Sequence, residues 1–185
     1  MLAGKTPVGP PQKRKVSKAD WQKFIQKAAP NFTVEGSGEG GVVRFGTFRN
    51  KTATRTHPIK RGEPSVLSRK LQVHKGKKTI LRATVSHHSH GDWELRVKVD
   101  GKIISKKEVS SKTTTDERLT HEVDLSTYEG KEIKLELENN PTGWMNEWAY
   151  WHEVKVSILP LSEKKKTSAK DKAKIIFISG KPSHG

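Results

Sequence analysis

The chain has 185 residues, enough for one ordinary domain with tails, and 31% of them are hydrophobic, which is low for a globular protein. It contains no cysteine, which excludes disulfides, thiolate catalysis and cysteine-ligated zinc. The net charge of +16 is concentrated in residues 1–30 and 161–185, each with seven Lys or Arg against one or two acidic residues.

A basic linker and one short helix are predicted at the start of the chain, in residues 1–30. Residues 1–16 are rich in proline and contain the basic run 13–15, a composition typical of a flexible linker. A helix is predicted over 17–29, because Ser17 and Asp20 have capping-box spacing and Pro30 ends the pattern. The apolar residues at helical spacing are Trp21, Phe24, Ile25 and Ala28.

The glycine-rich segment 35–41 is predicted to be an ordinary loop. A phosphate-binding loop follows a strand and opens a helix, and a P-loop also needs Gly-Lys-Ser/Thr. Here the segment is followed by Val42-Val43-Arg44-Phe45, which is a strand signal.

From residue 66 onward the pattern predicts strands. Alternating apolar residues mark strands at 66–73, 79–86, 93–99, 102–109, 119–125 and 133–137. Asp100-Gly101 predicts a type I′ hairpin turn. Short strands at roughly 10-residue spacing, separated by polar turns such as 110–116 and 126–130, predict an all-β fold, an antiparallel β-sandwich over residues 31–160.

The stretch 139–159 is the most distinctive part of the chain. Three of the five tryptophans and one of the two tyrosines fall within 144–151. The stretch opens with a turn-forming Asn-Asn-Pro-Thr-Gly and ends as a strand in which Val154, Val156 and Ile158 share one face. A polar aromatic loop that runs into a half-buried strand suits either a ligand platform or the closure of a hydrophobic core.

The last 25 residues of the chain contain a Lys-rich segment followed by an apolar one. Residues 161–174 are predicted to be a second, Lys-rich linker. Residues 175–185 then begin with a continuous apolar run that ends in Ser-Gly, which is typical of the first buried strand of a parallel α/β domain. Because no helix follows, we expect the sequence to be truncated as a second domain begins.

Residues 66–159 resemble the galactose-binding-like, carbohydrate-binding-module-type β-sandwiches of bacterial multidomain proteins. The resemblance implies a jelly-roll sandwich that is not an enzyme, needs no cofactor and binds sugars through loops at one end. It also implies a secreted or cell-envelope protein, and a structural Ca²⁺ in many members, for which the sequence shows no clear oxygen cluster. The matching residues are 66–69, 85–88, 91–95, 99–102, 123–126 and 144–151.

Residues 175–185, with the ending Gly180-Lys181-Pro182-Ser183-His184-Gly185, look like the opening of a ThuA-like (trehalose-utilisation-like) domain. That family has a glutamine-amidotransferase-like α/β fold. The resemblance implies that a C-terminal ThuA-like domain follows in the same chain.

Candidate ligand residues come from two loops. Sugar sites combine aromatic faces, which cover the apolar side of a pyranose, with side chains that hydrogen-bond its hydroxyls. From the aromatic loop we select Trp144, Asn146, Glu147, Trp148 and Asn140, and from the loop after residue 86 we select His87, His88 and Asp92.

Several aromatic, acidic and histidine residues of these loops and strands also have a structural interpretation. Trp93, Tyr150 and Trp151 are expected to pack in the core or between the sheets. Strand parity supports this for Trp93 and Tyr150, although a β-bulge would turn Tyr150 outward. Glu147 suits either a ligand contact or an ion pair with an arginine. The run His87-His88-Ser89-His90 suggests a metal site only weakly, because adjacent side chains of a strand point to opposite faces.

These observations predict a non-catalytic, carbohydrate-binding module that targets or orients an attached ThuA-like domain. The alternative is a structural or interaction sandwich whose basic linkers bind acidic glycans or nucleic acid. Nucleic-acid binding by the body is not expected, because its aromatic residues lie in the acidic segment 121–160, apart from most of the Lys and Arg. No apolar run approaches the length of a membrane span.

Overall fold

The structure is a computed structural model that describes residues 17–37, 44–48 and 50–160. Within these residues, two five-stranded antiparallel sheets enclose one core and a single α-helix lies beside them. The all-β sandwich prediction is therefore confirmed. The elements are α1 Lys18–Ala28, β1 Thr33–Glu35, β2 Arg44–Phe48, β3 Lys51–Thr56, β4 Ser65–Gln72, β5 Lys77–His87, β6 Trp93–Val99, β7 Lys102–Val109, β8 Leu119–Asp124, a 3₁₀ turn Ser126–Tyr128, β9 Glu132–Asn140 and β10 Ala149–Pro160.

The first sheet has the strand order β1-β4-β9-β6-β7, and the second has the order β2-β3-β10-β5-β8. The predicted linkers at 1–16 and 161–174 and the apolar segment 175–185 lie outside the described residues, as do residues 38–41 of the glycine-rich segment. Across the part of the chain that is described, no helix is long and apolar enough to cross a membrane.

The predicted helix is confirmed, with the predicted cap. Ser17 Oγ accepts a hydrogen bond from the backbone N–H of Asp20 at 3.2 Å, and the Asp20 carboxylate accepts one from the backbone N–H of Ser17 at 3.2 Å. Ile25 and Ala28 are buried on the inner face. The carbonyl of Phe24 accepts a hydrogen bond from Thr54 Oγ1 at 2.7 Å, which attaches the helix to β3.

Two tryptophans join the sheets at the centre of the core. Trp93 of the first sheet and Trp151 of the second are fully buried, with ring centroids 5.3 Å apart. Each indole N–H has a partner, the carbonyl of Ser86 at 3.1 Å for Trp93 and Thr56 Oγ1 at 2.9 Å for Trp151. Their predicted place in the core is confirmed, and both polar atoms are satisfied as buried indoles require.

The predicted hairpin at Asp100-Gly101 is confirmed. Val99 pairs with Lys102 across the two-residue turn, and both turn residues have positive φ, 49° and 79°. Positive φ at both central positions is the geometry of a type I′ turn, and it matches the twist of the flanking strands.

The prediction that a turn begins at residue 139 was wrong. Asn139 and Asn140 are the last residues of β9, where Asn139 pairs with Ser65 and Leu95 on the neighbouring strands. Asn139 is fully buried, and its side-chain amide donates to the carbonyl of Glu147 at 3.0 Å. This hydrogen bond lets a turn-forming residue remain in a central strand, and the loop begins only at Pro141.

The outer faces of the two sheets differ in chemistry. The first sheet presents cross-strand ion pairs, with Lys98 Nζ 2.9 Å from a Glu138 carboxylate oxygen and Lys70 Nζ 3.5 Å from Glu132. The second sheet presents hydroxyls and aromatic rings, with Thr84 Oγ1 3.2 Å from Thr120 Oγ1. Glu138 is buried and its carboxylate is paired with Lys98 within the sheet, whereas Lys70 and Glu132 form an ordinary solvated surface pair.

Candidate functional site

A β-bulge at His152 determines which aromatic residues of β10 face outward. The pairing of β10 with β5 shifts register between Trp151 and Glu153, so the strand alternates in one phase before the bulge and in the other after it. Trp151 and Val154 therefore both point into the core, and Tyr150 points outward. Tyr150 is buried, as predicted, but it is not part of the core cluster that holds Trp151 and Val154, so the bulge alternative is what the structure contains.

Tyr150 is buried on the outer face by an aromatic neighbour. The Phe48 ring stacks on it at 4.8 Å between centroids and 15° between planes. The Arg55 guanidinium lies 5.4 Å from the centre of the Phe48 ring and 3.8 Å from that of Trp148. Burial lowers the pKa of Arg55 from its usual range. We call this row of side chains, Phe48, Tyr150, Arg55, Trp148 and His57, the aromatic strip.

Trp148 is enclosed within the aromatic strip. The His57 ring lies 4.4 Å from it, and the Arg55 guanidinium lies 3.8 Å from it. Side chains two residues apart on an extended chain project to the same side about 7 Å apart, so a ring that touches both Arg55 and His57 lies between them. Because the Arg55 guanidinium and the His57 ring already contact its indole, Trp148 provides less free stacking surface than the sequence suggested.

The loop 141–148 is built around the carboxylate of Glu147. Glu147 is 2% exposed. Its Oε1 accepts from the backbone N–H of Gly143 at 2.7 Å and its Oε2 from that of Thr142 at 3.1 Å. Burial raises the pKa of this carboxyl, and the two amide hydrogen bonds oppose that rise. The predicted ligand role of Glu147 is therefore corrected to a structural one, with backbone amides as partners instead of an arginine.

The second loop, after β5, packs directly against the first. A Cβ on Gly91 would lie 2.2 Å from the backbone oxygen of Asn146, so only glycine permits this approach. The Asn146 side-chain amide donates to the carbonyl of His90 at 3.4 Å, and the Thr142 hydroxyl donates to the Asp92 carboxylate. The two loops that supplied the candidate residues thus form one surface at one end of the sandwich.

Two of the candidate side chains, His87 and His88, are occupied by structural contacts, and Asn140 lies within a strand. His87 is buried, and its Nδ1–H donates to the carbonyls of His88 at 2.6 Å and Gly91 at 2.8 Å, which closes the turn. His88 Nδ1 accepts from the backbone N–H of His90 at 3.2 Å. Asn140 pairs with Glu94 inside the sheet. Among the described residues no group of three His, Asp or Glu could hold a metal ion.

Trp144 is the aromatic candidate that borders a described cavity. Its indole is half-buried and touches the His57 ring edge-on, with centroids 5.8 Å apart and planes at 79°. It borders an open cavity of about 490 Å³, which we call the rim pocket. The other lining residues are Arg61, Asp92, Thr142, Gly143, Met145 and Glu147, of which Met145 is 78% exposed.

A xylan-binding domain shares this fold. The CBM22-1 xylan-binding domain of Xyn10C from Paenibacillus barcinonensis superposes with a TM-score of 0.50 and 15% identity, covering 75% of this chain and 92% of that domain. At this identity the likeness shows the fold alone. A family 35 carbohydrate-binding module from an environmental isolate has a TM-score of 0.48 and 12% identity, covering 71% of this chain and 91% of its own. No protein-family model and no curated protein matches the sequence.

A larger cavity lies on the outer face of the second sheet, and sequence reasoning missed it. This groove of about 900 Å³ is lined from β3, β5, β8 and β10 and from the loop before β8. Its residues are polar side chains of ordinary-looking strands, so no local pattern marks them, and only the sheet order brings them together. The lining residues are Lys51, Thr52, Arg82, Thr84, Thr113, Thr115, Asp116, Arg118, Leu119, Thr120, His152 and Glu153.

One serine–histidine pair in this face has the spacing of a nucleophile and its base. Ser86 Oγ lies 2.8 Å from His152 Nε2. However, Ser86 is 5% exposed, and the third partner is the carbonyl of Thr52, 2.9 Å from His152 Nδ1, where a catalytic triad has a carboxylate. The pair therefore holds the bulge in place, and it is not arranged for acyl transfer.

Proposed function

We propose that this domain is a non-catalytic carbohydrate-binding module whose ligand stacks on Trp144 in the rim pocket. The observation that carries the proposal is that Trp144 lines the rim pocket, beside the exposed side chains of Asp92 and Arg61. A pyranose presents an apolar face that an indole covers and hydroxyls that a carboxylate and a guanidinium hydrogen-bond. The shared fold with a xylan-binding domain supports the same class of ligand.

The buried network beneath the rim pocket supports a preformed site. Glu147 fixes the backbone of residues 142 and 143, and the Thr142 hydroxyl donates to Asp92. Because these bonds fix the loop without a ligand, binding requires little ordering of the chain.

The test is titration of the 185-residue chain with xylan, mannan and soluble β-glucans, followed by tryptophan fluorescence at low and high salt. We expect saturable, salt-resistant binding to at least one neutral glycan. Trp144→Ala should weaken it by about tenfold, since an aromatic stack contributes about 1 kcal/mol beyond the area it buries. Ile103→Ala, which removes an exposed apolar side chain from β7, is the matched control and should bind normally.

Two results would refute this function. One is unchanged affinity in Trp144→Ala. The other is binding that disappears at high salt and on removal of residues 1–16 and 161–174, which would establish the alternative of a sandwich whose basic ends adhere to anionic polymers.

We further propose that the module precedes a ThuA-like domain that it targets or orients, in a secreted or cell-envelope protein. The resemblance of residues 175–185 to the opening of that family supports this arrangement, and the Lys-rich composition of 161–174 suits a connecting linker. Glycan-dependent pull-down of a longer chain that includes the second domain tests it. If the second domain were recovered equally well with and without the module, targeting would be excluded.

A further inference from the structure

The groove on the second sheet combines three kinds of polar group. Hydroxyls cover its floor, where Thr84 and Thr120 lie side by side on β5 and β8. Cationic side chains and two carboxylates border them. At about 900 Å³ the groove lies at the upper end of the usual size of ligand pockets, so it has room for more than one sugar unit.

The cations are only weakly neutralised by the protein. The Lys51 ammonium donates to the backbone carbonyl of Asp116, not to a carboxylate. Arg82 has a carboxylate partner, Glu122, but the two are 3.7 Å apart and both more than half exposed. Within the described residues no ion pair involves Arg118. These positive charges are therefore available to an anion.

His152 at the floor of the groove is under the influence of the same charges. Burial lowers the pKa of His152, the hydrogen bond with Thr52 opposes this, and Arg118 and Lys51 lower it further. Its ring is already used by Thr52 and Ser86. His152 therefore has a structural role in the floor of the groove. The positive charges of Arg118 and Lys51 are left to act on a ligand that binds there.

A strained turn holds Arg118 over the groove. Thr115 and Arg118 exchange two backbone hydrogen bonds of 2.9 Å around Asp116-Glu117. Both central residues have positive φ, 47° and 64°, although neither is glycine. Such conformations are costly for residues with a Cβ and tend to be retained where a loop serves a site.

We infer that this groove binds an acidic saccharide chain. Arg118 and Lys51 would bind its carboxylate or sulfate groups, while Asp116, Glu153 and the threonines accept or donate hydrogen bonds to its hydroxyls. The inference rests on the proposed saccharide class of ligand, but it uses a different surface from the rim pocket. A ligand with both hydroxyls and negative charges satisfies the whole lining.

A nucleic acid fits the groove less well. Proteins hold single-stranded nucleic acid by stacking its bases on aromatic side chains. Among the described lining residues the only ring is the imidazole of His152, whose nitrogens are occupied.

The experiment compares the affinity of the 185-residue chain for polygalacturonate and for its methyl ester, which has the same backbone without the charges. Arg118→Gln and Lys51→Gln should each weaken polygalacturonate binding by about tenfold, the effect of one charge-assisted hydrogen bond. Lys106→Gln removes the same charge from the first sheet, where Lys106 Nζ lies 3.9 Å from Glu94, and should bind normally. Circular dichroism confirms that each variant is folded.

Dextran sulfate and dextran form a second pair of probes, and preference for dextran sulfate would assign the site to sulfate. Equal binding of polygalacturonate and its methyl ester, with no preference for dextran sulfate over dextran, would overturn the inference. Equal losses in Arg118→Gln and Lys106→Gln would also overturn it. So would tighter, Arg118-dependent binding of a single-stranded oligonucleotide. Trp144→Ala should leave polygalacturonate binding intact, so failure of the groove and failure of the rim pocket are separable.

Discussion

Ser105 Oγ lies 2.8 Å from His121 Nε2 and connects the edge strands of the two sheets, β7 and β8. Burial lowers the pKa of His121, and the charge of Lys107 lowers it further. The neutral imidazole is therefore the form that the folded sandwich favours. His152, at the bulge of β10, has a lowered pKa for the same main reason.

From these two histidines we predict that the free energy of unfolding decreases as the pH is lowered below 6.5, the usual pKa of histidine. Their folded pKa is below the unfolded one, so the unfolded chain binds more protons in that window. Urea unfolding at a series of pH values measures the effect. His121→Gln should flatten the dependence, whereas a slope equal to that of the unchanged protein would contradict the assignment.

Glu147→Ala should destabilise the domain by about 2 kcal/mol or more, because it leaves the amides of Thr142 and Gly143 without their acceptor. Glu108→Ala, at an exposed position of β7, should change stability by less than about 0.5 kcal/mol. Urea midpoints report both values. A small effect of Glu147→Ala would show that water replaces the carboxylate and that the loop needs no internal anchor.

Gly91→Ala should separate the two loops at the rim, because the new methyl group would collide with the backbone oxygen of Asn146. We expect a loss of about 1–3 kcal/mol, the usual effect of overpacking. Gly46→Ala is the matched control, since its Cβ would meet the Phe48 ring at an ordinary 3.8 Å. Thermal unfolding distinguishes them, and equal melting temperatures would show that the loops are not closely packed.

Trp151→Phe should cost about 2 kcal/mol, because it deletes volume in the core and leaves the buried Thr56 hydroxyl without its donor. Trp144→Phe should cost less than about 0.5 kcal/mol, because that ring is half-exposed. Guanidinium unfolding tests the pair. A comparable loss in both variants would mean that Trp144 is a structural residue, which would also count against its role as a platform.

Sequence patterns predicted the parts of the fold that depend on local chemistry. The alternation from Trp93 to Val99 matches the burial of β6 residue by residue, and Asp100-Gly101 forms the predicted turn. Strand β3 was not predicted, because Lys51–Thr56 is mostly Thr, Lys and Arg, and its place in the sheet comes from pairing with β2 and β10.

The candidate site was predictable only in outline. The two loops do meet, yet Trp148 is covered by Arg55 and His57, which lie far earlier in the sequence. The Glu147 carboxylate accepts hydrogen bonds from backbone N–H groups of its own loop, and the composition of the loop does not reveal this arrangement. The groove depends on strand order, and no periodicity within one strand encodes which strands are neighbours.

The single extra residue at His152 changes the phase of alternation within β10. If the full-length strand paired without this bulge, keeping Val154 in the core would turn Trp151 to the surface and Tyr150 inward. Deleting His152 would instead leave Trp151 and Val154 two positions apart, so uninterrupted alternation would keep both in the core and Tyr150 outward. Homologous domains that keep an aromatic strip on this face should therefore have either the extra residue together with a bulge, or neither of them.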